Sequence, residues 1–391
     1  MTTERSEPGI LFAGLHAHSV AGSIFDAIGH PPEHMDFAYQ NGMDALALTD
    51  HGNMNGLAGQ VLHAKKMQAE GKDFKSIFGL EAYFIPSISE WREEYDRVRA
   101  EKKAKKGEED VSGTTVEDEG ASKRAVKNSL NRRRHLVLLA QSQQGLENLF
   151  RLVSESYKPG NFYRYPRIDY EMLSKYSDGV IAASACLGGV YAGNYWEASI
   201  YDEEGKRAGY DKEVALASMR KTTKRMMSIF GDRWYGELQW NSIPEQHELN
   251  QCIVQMHKEF DIPLISTADS HYPNRDAWKD RELYKRLGWL GKGKPDWADS
   301  TELPASVEEI GYELYPKNGD EMFEAYKKYS AQAGHQYDDD LVLNSLTETY
   351  HIAHTRIDSF FPDATVRLPD FVVPDGVTAA LNFSTKFFSE L

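Results

Sequence analysis

Seven short apolar runs, separated by stretches of helical pattern, limit what this chain can become. They are GLHAHS (14–19), ALALTD (45–50), SIFGLEAYF (76–84), HLVLLA (135–140), GVIAASAC (179–186), WYGELQW (234–240) and PLISTAD (263–269). Each has the length and apolar content of a strand. Between them lie helix candidates: PEHMDFAYQNG, GLAGQVLHAKKMQAEG, LENLFRLVSESY, residues 212–230 and EQHELNQCIVQMHKEF. Strands alternating with helices predict a parallel α/β architecture. Closed on itself, such a sheet is a barrel whose functional groups gather at the C-terminal strand ends.

The ends of these runs carry unusual residues. The first holds His16 and His18, two apart, which on a strand point to one face. Asp26 follows closely in SIFDAIG. The second run ends in TDHG, with Asp50 and His51, and the third contains Glu81. Cys186 closes the fifth, and the last ends in ADSHY, with Asp269 and His271. His135 is awkward, because it precedes its run and a simple barrel would put it at the wrong end. Taken singly, each has an ordinary reading: a core cysteine, or a cap beside a turn. Together they do not. Acidic residues are rarely buried unpaired, and carboxylates converging on one barrel mouth repel one another unless cations sit between them. Two or three divalent ions would remove the repulsion. A set of imidazoles, carboxylates and one thiol suits zinc or manganese, with iron as an alternative, better than magnesium, which prefers oxygen alone.

The rest of the chain is organised around this unit. Residues 88–134 form a charged insertion, read as a solvated helix followed by a loop. After residue 275 the pattern turns helical, in DAWKDRELYKRLGWL, DEMFEAYKKYSAQAG and LVLNSLTETYHIAH, and VRLPDFVVPDG then reads as a connector before a last amphipathic helix. The expected division is a barrel over 1–275 and a helical extension over 276–391. The net charge of −15 argues against gripping nucleic acid by bulk positive charge, so a nucleic-acid substrate would need metal ions or a partner to hold it. Two cysteines make no disulfide framework, and no run approaches the ~20 apolar residues of a membrane span. The expectation is a soluble cytoplasmic protein with no membrane partner.

The stretches HAHS, TDHG, GLEAY, HLVLLA, CLGG and DSHY, in this order, resemble the motifs of the PHP (polymerase and histidinol phosphatase) family. FYRYPRIDYEMLSKYSDGVIAASACLGG, YGELQWNSIPEQ and IPLISTADSHY resemble the PHP domain of bacterial C-family replicative polymerases, the DNA polymerase III alpha subunit type. The resemblance implies a distorted (β/α)7 barrel. It also implies a trinuclear metal site held by His16, His18, Asp26, His51, Glu81, His135, Cys186, Asp269 and His271. Among these, His16, His18, Glu81, Asp269 and His271 carry the catalytic role. Asp26 stands in FDAIG, where polymerase relatives have a shorter LDG turn. Asp50 would orient a neighbouring ligand.

The activity implied is metal-dependent phosphodiester hydrolysis, as a proofreading 3′→5′ exonuclease on a single-stranded or frayed DNA 3′ end. The alternatives are a small-molecule phosphomonoesterase of the histidinol-phosphatase kind and a non-catalytic, metal-stabilised scaffold for a polymerase. Arg164 and Arg167 would hold phosphate, or serve as structural ion pairs. Tyr163, Tyr165 and Tyr272 would stack on bases, or simply pack. The paired aspartates of the family's polymerase module are missing, and Asp338, Asp339 and Asp340 read as a solvated helix start. The chain is then either a domain cut from a longer polymerase or a separate subunit that meets a polymerase chain in trans.

Overall fold

The structure is a computed structural model that describes residues 5–109, 132–289, 303–363 and 365. Six of the seven apolar runs form one sheet: β1 (Ala45–Leu48), β2 (Lys75–Phe84), β3 (Arg134–Ala140), β4 (Val180–Ala183), β5 (Trp234–Gln239) and β6 (Leu264–Thr267), hydrogen-bonded in that order. The first run is not a regular strand. Gly14 bridges Leu46 beside β1, and Ala17 bridges Ser270 just past β6. The amides of Ala47 and Thr49 donate to the Gly14 and Ala17 carbonyls, and His18 N–H donates to Ser270 O. Residues 14–18 thus lie between the sheet's two edge strands and close it into a barrel.

The expected all-parallel sheet is corrected in one place. β1–β2, β4–β5 and β5–β6 pair in parallel, but β3 runs antiparallel to both β2 and β4. A strand buried on both faces reads as a continuous apolar run in either direction, so the sequence does not encode its polarity. Reversal puts the start of β3 beside the end of β2, with His135 opposite Tyr83. His135 therefore reaches the same end of the barrel as the other candidates.

Alternation sorts each strand into two layers. Ala45, Ala47, Ile77, Val137, Leu139, Ile181, Ala183, Tyr235 and Ile265 form an inner cluster. Their neighbours Leu46, Leu48, Phe78, Leu80, Leu136, Leu138, Val180, Ala182 and Leu238 join an outer cluster against the helices. Those helices include α1 (Pro31–Gln40), α2 (Leu57–Ala69), α4 (Gln143–Ser156), α5 (Tyr170–Tyr176), α6 (Val190–Glu197), α7 (Lys212–Phe230) and α8 (Pro244–Phe260). Several have side-chain N-caps: Ser142 accepts from Gly145 N, Asp169 from Met172 N, and Asp211 from Val214 N.

The charged insertion opens as α3 (Ile88–Glu109) and docks through Ile88 and Trp91 on Ile85, Tyr163 and Met172. The expected loop at 110–131 lies outside the described residues, as does the expected last helix. The segments after residue 275 include α9 (Trp278–Trp289), α10 (Gly319–Gln332) and α11 (Asp339–His351), ending in a π turn, Ile352–Arg356. Asp338 caps α11 by accepting from Asp340 N, so the acidic run is a helix start. The chain divides into two compact units, Met1–Phe361 and Pro362–Leu391. The helical segments up to Phe361 share the first unit with the barrel, and Ile352, Ala353 and Ile357 pack into the inner cluster. Among the described residues, no helix is long and apolar enough to cross a membrane.

Candidate metal centre

The site begins with two imidazoles whose far nitrogens are already used. His16 Nδ1 donates to Glu237 Oε1 at 2.7 Å, and buried Glu237 also accepts from Thr267 Oγ1 and Gln239 Nε2. His18 Nδ1 lies 3.2 Å from Ser23 Oγ, whose own proton goes to Asp50 Oδ1. Asp50 is fixed in turn by Ser19 N and Ser19 Oγ. A Cβ at Gly22 would meet the Asp50 side chain at 2.5 Å, so the turn closes over Asp50 only with glycine there. With each Nδ1 donating, the neutral rings carry lone pairs on Nε2. These two atoms are 3.1 Å apart, and Asp269 Oδ1 lies 3.2 Å from both.

Glu81, buried in the middle of the cluster, links this half to the other. Its Oε1 is 3.0 Å from His135 Nδ1 and 3.5 Å from His16 Nε2, and its Oε2 is 2.6 Å from His51 Nδ1. Cys186 Sγ sits 3.6 Å from His135 Nδ1 and accepts from Gly188 N. His51 Nε2 and His271 Nε2 lie 3.1 and 3.6 Å from Asp26 Oδ2, and His271 Nδ1 donates to the Asp269 carbonyl at 2.7 Å. Asp26 is held from outside by Arg281, which donates to its Oδ1 at 2.8 Å and to its carbonyl at 2.7 Å. All nine candidate ligands are brought together. Three overlapping groups, His16/His18/Glu81, His18/His51/His271 and His51/Glu81/His135, have donor atoms close enough to share an ion.

The backbone is strained where it delivers them. Phe25, Ala185 and Asp269 have φ of 64°, 61° and 49°, a region non-glycine residues seldom adopt. Two of them immediately precede candidate ligands, and the third is one.

The electrostatics follow from burial set against neighbouring charge. Burial alone would raise the Asp26, Glu81 and Asp269 carboxyls, but the surrounding histidines hold all three below the usual carboxylate range. Burial opposes charge on His51 too, yet Glu81 and Asp26 raise it to about 10. His16 is also raised, because Asp269 and Glu237 outweigh its burial. His18 goes the other way, lowered by burial and by the His51 and His271 charges. Burial and the Glu81 and Asp269 carboxylates push the Cys186 thiol well up.

These residues fit divalent cations on a specific observation. His51 Nδ1 and Glu81 Oε2 are buried, 2.6 Å apart, and neither makes a hydrogen bond; Asp269 Oδ1 is likewise buried and unpartnered. Lone-pair atoms that crowd together without hydrogen-bond geometry are aimed at a shared point, not at each other.

The other candidates lie elsewhere. Arg167 is fully buried and donates to the carbonyls of Tyr163 and Tyr165, beneath Trp91. Tyr272 is buried, and its hydroxyl accepts from Leu314 N. Arg164 stands exposed at the tip of a short hairpin, over the Tyr163 ring. None of the three lines the cavity at the site, so the expected substrate contacts through Arg167 and Tyr272 are corrected to structural ones. Sequence reasoning missed Glu237 and Arg281. An acid in the middle of the apolar run WYGELQW was a readable signal for Glu237. Arg281, one of several charged residues in its segment, had none.

A cavity of about 220 Å³ opens on the cluster, lined in part by Asp26, His51, His135, Cys186, Asp269 and His271. The family model described as "PHP domain" matches residues 14–241. The DNA polymerase III subunit alpha of Aquifex aeolicus (strain VF5) is 31% identical over 373 residues, which is 94% of this chain and 26% of that protein. The DNA polymerase III subunit alpha of Borreliella burgdorferi is 28% identical over 366 residues, 93% of this chain and 25% of that protein. The chain spans about a quarter of the length of the curated relatives it matches. Among solved structures, a two-domain protein from Bacteroides vulgatus described as containing a predicted PHP-like metal-dependent phosphoesterase is 16% identical, covering 71% of this chain and 59% of that chain. Its TM-score of 0.32 is too low to bear on the fold.

Proposed function

The chain belongs to the PHP domain family, and from that premise we propose that it is a metal-dependent phosphodiesterase that trims DNA from the 3′ end in a replication system of the DNA polymerase III alpha type. The observation that carries the reading is the convergence of nine ligand-type side chains, three of which, His51, Glu81 and Asp269, hold buried atoms without hydrogen-bond partners. His16, His18, Asp26, His51, Glu81, His135, Cys186, Asp269 and His271 would hold two or three ions, zinc or manganese.

Divalent cations held there would supply charge to neutralise the scissile phosphate, lower the pKa of water and stabilise the leaving 3′ oxygen. The chain's own residues supply geometry. Glu237 fixes the His16 ring, and Ser23 with Asp50 fixes His18. Arg281 holds Asp26 at the cavity edge, where its carboxylate would otherwise swing into solvent. These contacts lock rotamers before substrate arrives, which is how outer partners tune a metal site. The proposed substrate is a frayed or single-stranded 3′ end, and the proposed partner is a polymerase chain in trans, in a cytoplasm.

The test is degradation of a 5′-labelled primer, with and without a 3′ mismatch, in Mn²⁺ or Zn²⁺. The His16→Ala protein, purified identically, is the control. A ladder that shortens from the 3′ end and is absent in His16→Ala is expected. Intact primer with metals confirmed bound would sink the exonuclease reading and leave phosphomonoesters to be tried.

A further inference from the structure

The lining of the cavity goes beyond the candidate ligands to Arg281, already bound to Asp26, to Tyr312, and to a wall of uncharged side chains. Three carboxamides line it: Gln239, Asn241 and Gln246, all buried, together with apolar Leu187, Ile243 and Leu314. Each amide is locked in one orientation by a partner on its far end. Gln239 Nε2 donates to the Glu237 carboxylate at 3.2 Å. Asn241 Oδ1 accepts from Ile243 N at 3.0 Å. Gln246 Nε2 donates to Asn250 Oδ1 at 3.0 Å, and that assignment is forced because Asn250 Nδ2 donates to the Gln239 carbonyl.

The remaining ends are therefore fixed too. Gln239 Oε1 and Gln246 Oε1 are left as acceptors and Asn241 Nδ2 as a donor, with no partner among the described residues. Gln246 Oε1 is the sharpest case, since it is fully buried and makes no hydrogen bond. A buried amide oxygen left unpaired is unfavourable, and Gln246 lines the cavity, so a ligand there that supplied a donor would relieve it.

Resting on the phosphodiesterase reading, we propose that this wall reads the base of the 3′-terminal nucleotide, with the adjoining phosphate at the histidine–carboxylate cluster. The chemistry matches on three counts. A nucleobase has a hydrogen-bonding edge that carries both donors and acceptors, which uncharged amides recognise. Its faces are apolar, as are Leu187, Ile243 and Leu314. About 220 Å³ is below the roughly 300–1,000 Å³ of pockets for drug-sized ligands, so the cavity accepts one small group and not a stretch of strand. Tyr272 supports the wall from behind: Leu314 N donates to its hydroxyl, and the amides of His271 and Tyr272 both donate to the Leu314 carbonyl.

The experiment is calorimetric titration of the manganese-loaded protein with thymidine 5′-monophosphate and, separately, with methyl phosphate, which offers the same anion without a base. The nucleotide is expected to bind at least tenfold tighter. In Gln246→Leu the ratio of the two affinities should fall at least tenfold, with bound manganese measured in each sample. If Gln246→Leu does not fold, Gln239→Met tests the same wall. Equal affinities for the two ligands, or a ratio that survives both variants, would overturn the base-reading wall. Because product binding is measured, the outcome is separate from cleavage. Nucleotide binding through Gln246 by a protein that leaves primers intact would keep the wall and reject the exonuclease.

Discussion

The two ends of the barrel interior are built from the same strands and obey opposite rules. On β2, Ile77 belongs to the inner apolar cluster and Glu81, four residues on, to the candidate metal centre. On β5 the change comes between Tyr235 and Glu237, and along the last run between Ile265 and Asp269. One end is sealed. Ile352, Ala353 and Ile357 plug it, and Lys75 Nζ donates to the Ala353 and Ile357 carbonyls, so the irregular turn that carries the plug leaves those groups satisfied. The other end holds crowded ionisable groups, left-handed backbone at Phe25, Ala185 and Asp269, and buried atoms without partners. The apolar end is where burial stabilises the fold, and the polar end draws on that stability to hold an arrangement that would not persist alone.

The widest separation between the ends should come from removing metal. A ligand that binds only the folded state contributes about 4 kcal/mol per site at a thousandfold excess over its Kd. With two or more sites, chelation should lower Tm by at least about 10 °C at the usual few degrees per kcal/mol. Hydrogen exchange should then rise at 16–18 and 269–271 and stay low in the middle of β3. Ile352→Ala acts at the other end and should cost about 2–4 kcal/mol, equally in loaded and stripped protein. An unchanged Tm on chelation, or an Ile352→Ala cost that depends on metal, would remove the division.

A smaller effect should follow from loosening one support. Glu237→Gln keeps the shape but removes the charge that orients His16. Outer partners of metal ligands typically contribute 10–100-fold to affinity, so metal binding should weaken by that factor, read by competition with a chromogenic chelator. Stability of the stripped protein should stay near that of the parent, because His16 loses only one of the carboxylates that favour its proton. A variant that binds metal as tightly as the parent would mean that Glu237 is a core group that happens to touch His16.

What could be read from the sequence follows the same division. The runs were legible because burial on two faces makes strands apolar throughout, and the ligand-type residues stood out because they interrupt that pattern at its ends. Two things were not legible. The polarity of β3 leaves no trace in its composition, so the sequence alone puts His135 at the wrong end and the antiparallel pairing brings it to the right one. The segment around His16 and His18 reads as a strand, yet it is a bridge between two edges. Ala13 and Leu15 face the inner cluster and Ala17 the outer one, so parity breaks inside the run. Both rings still meet, because their positions are set by Glu237 and Ser23, far away in sequence or across a turn. Arg167 misled for the converse reason. A buried arginine spent on backbone carbonyls and one offered to phosphate look alike in a sequence.

The smallest effect concerns a histidine just behind the polar end. His34 is fully buried in α1, and its Nε2–H donates to the Ile28 carbonyl, while Ile28 N donates to His271 O. Burial lowers it to about 4, despite that carbonyl. In the unfolded chain it titrates near 6.5, so between about pH 6.5 and 4 the unfolded state binds more protons than the folded one. Stability therefore rises with pH across that window and is lost as the pH falls. One such group contributes a slope of about 1.4 kcal/mol per pH unit. His18 is also lowered and adds to the same window, so the parent slope alone does not isolate His34. The measurement is urea unfolding of chelator-stripped parent and His34→Gln at pH 6.5, 5.5 and 4.5. The variant should lose about one proton's worth of slope. Identical slopes would mean that the acid response belongs wholly to the ligand cluster, and that the wall behind it is electrically silent.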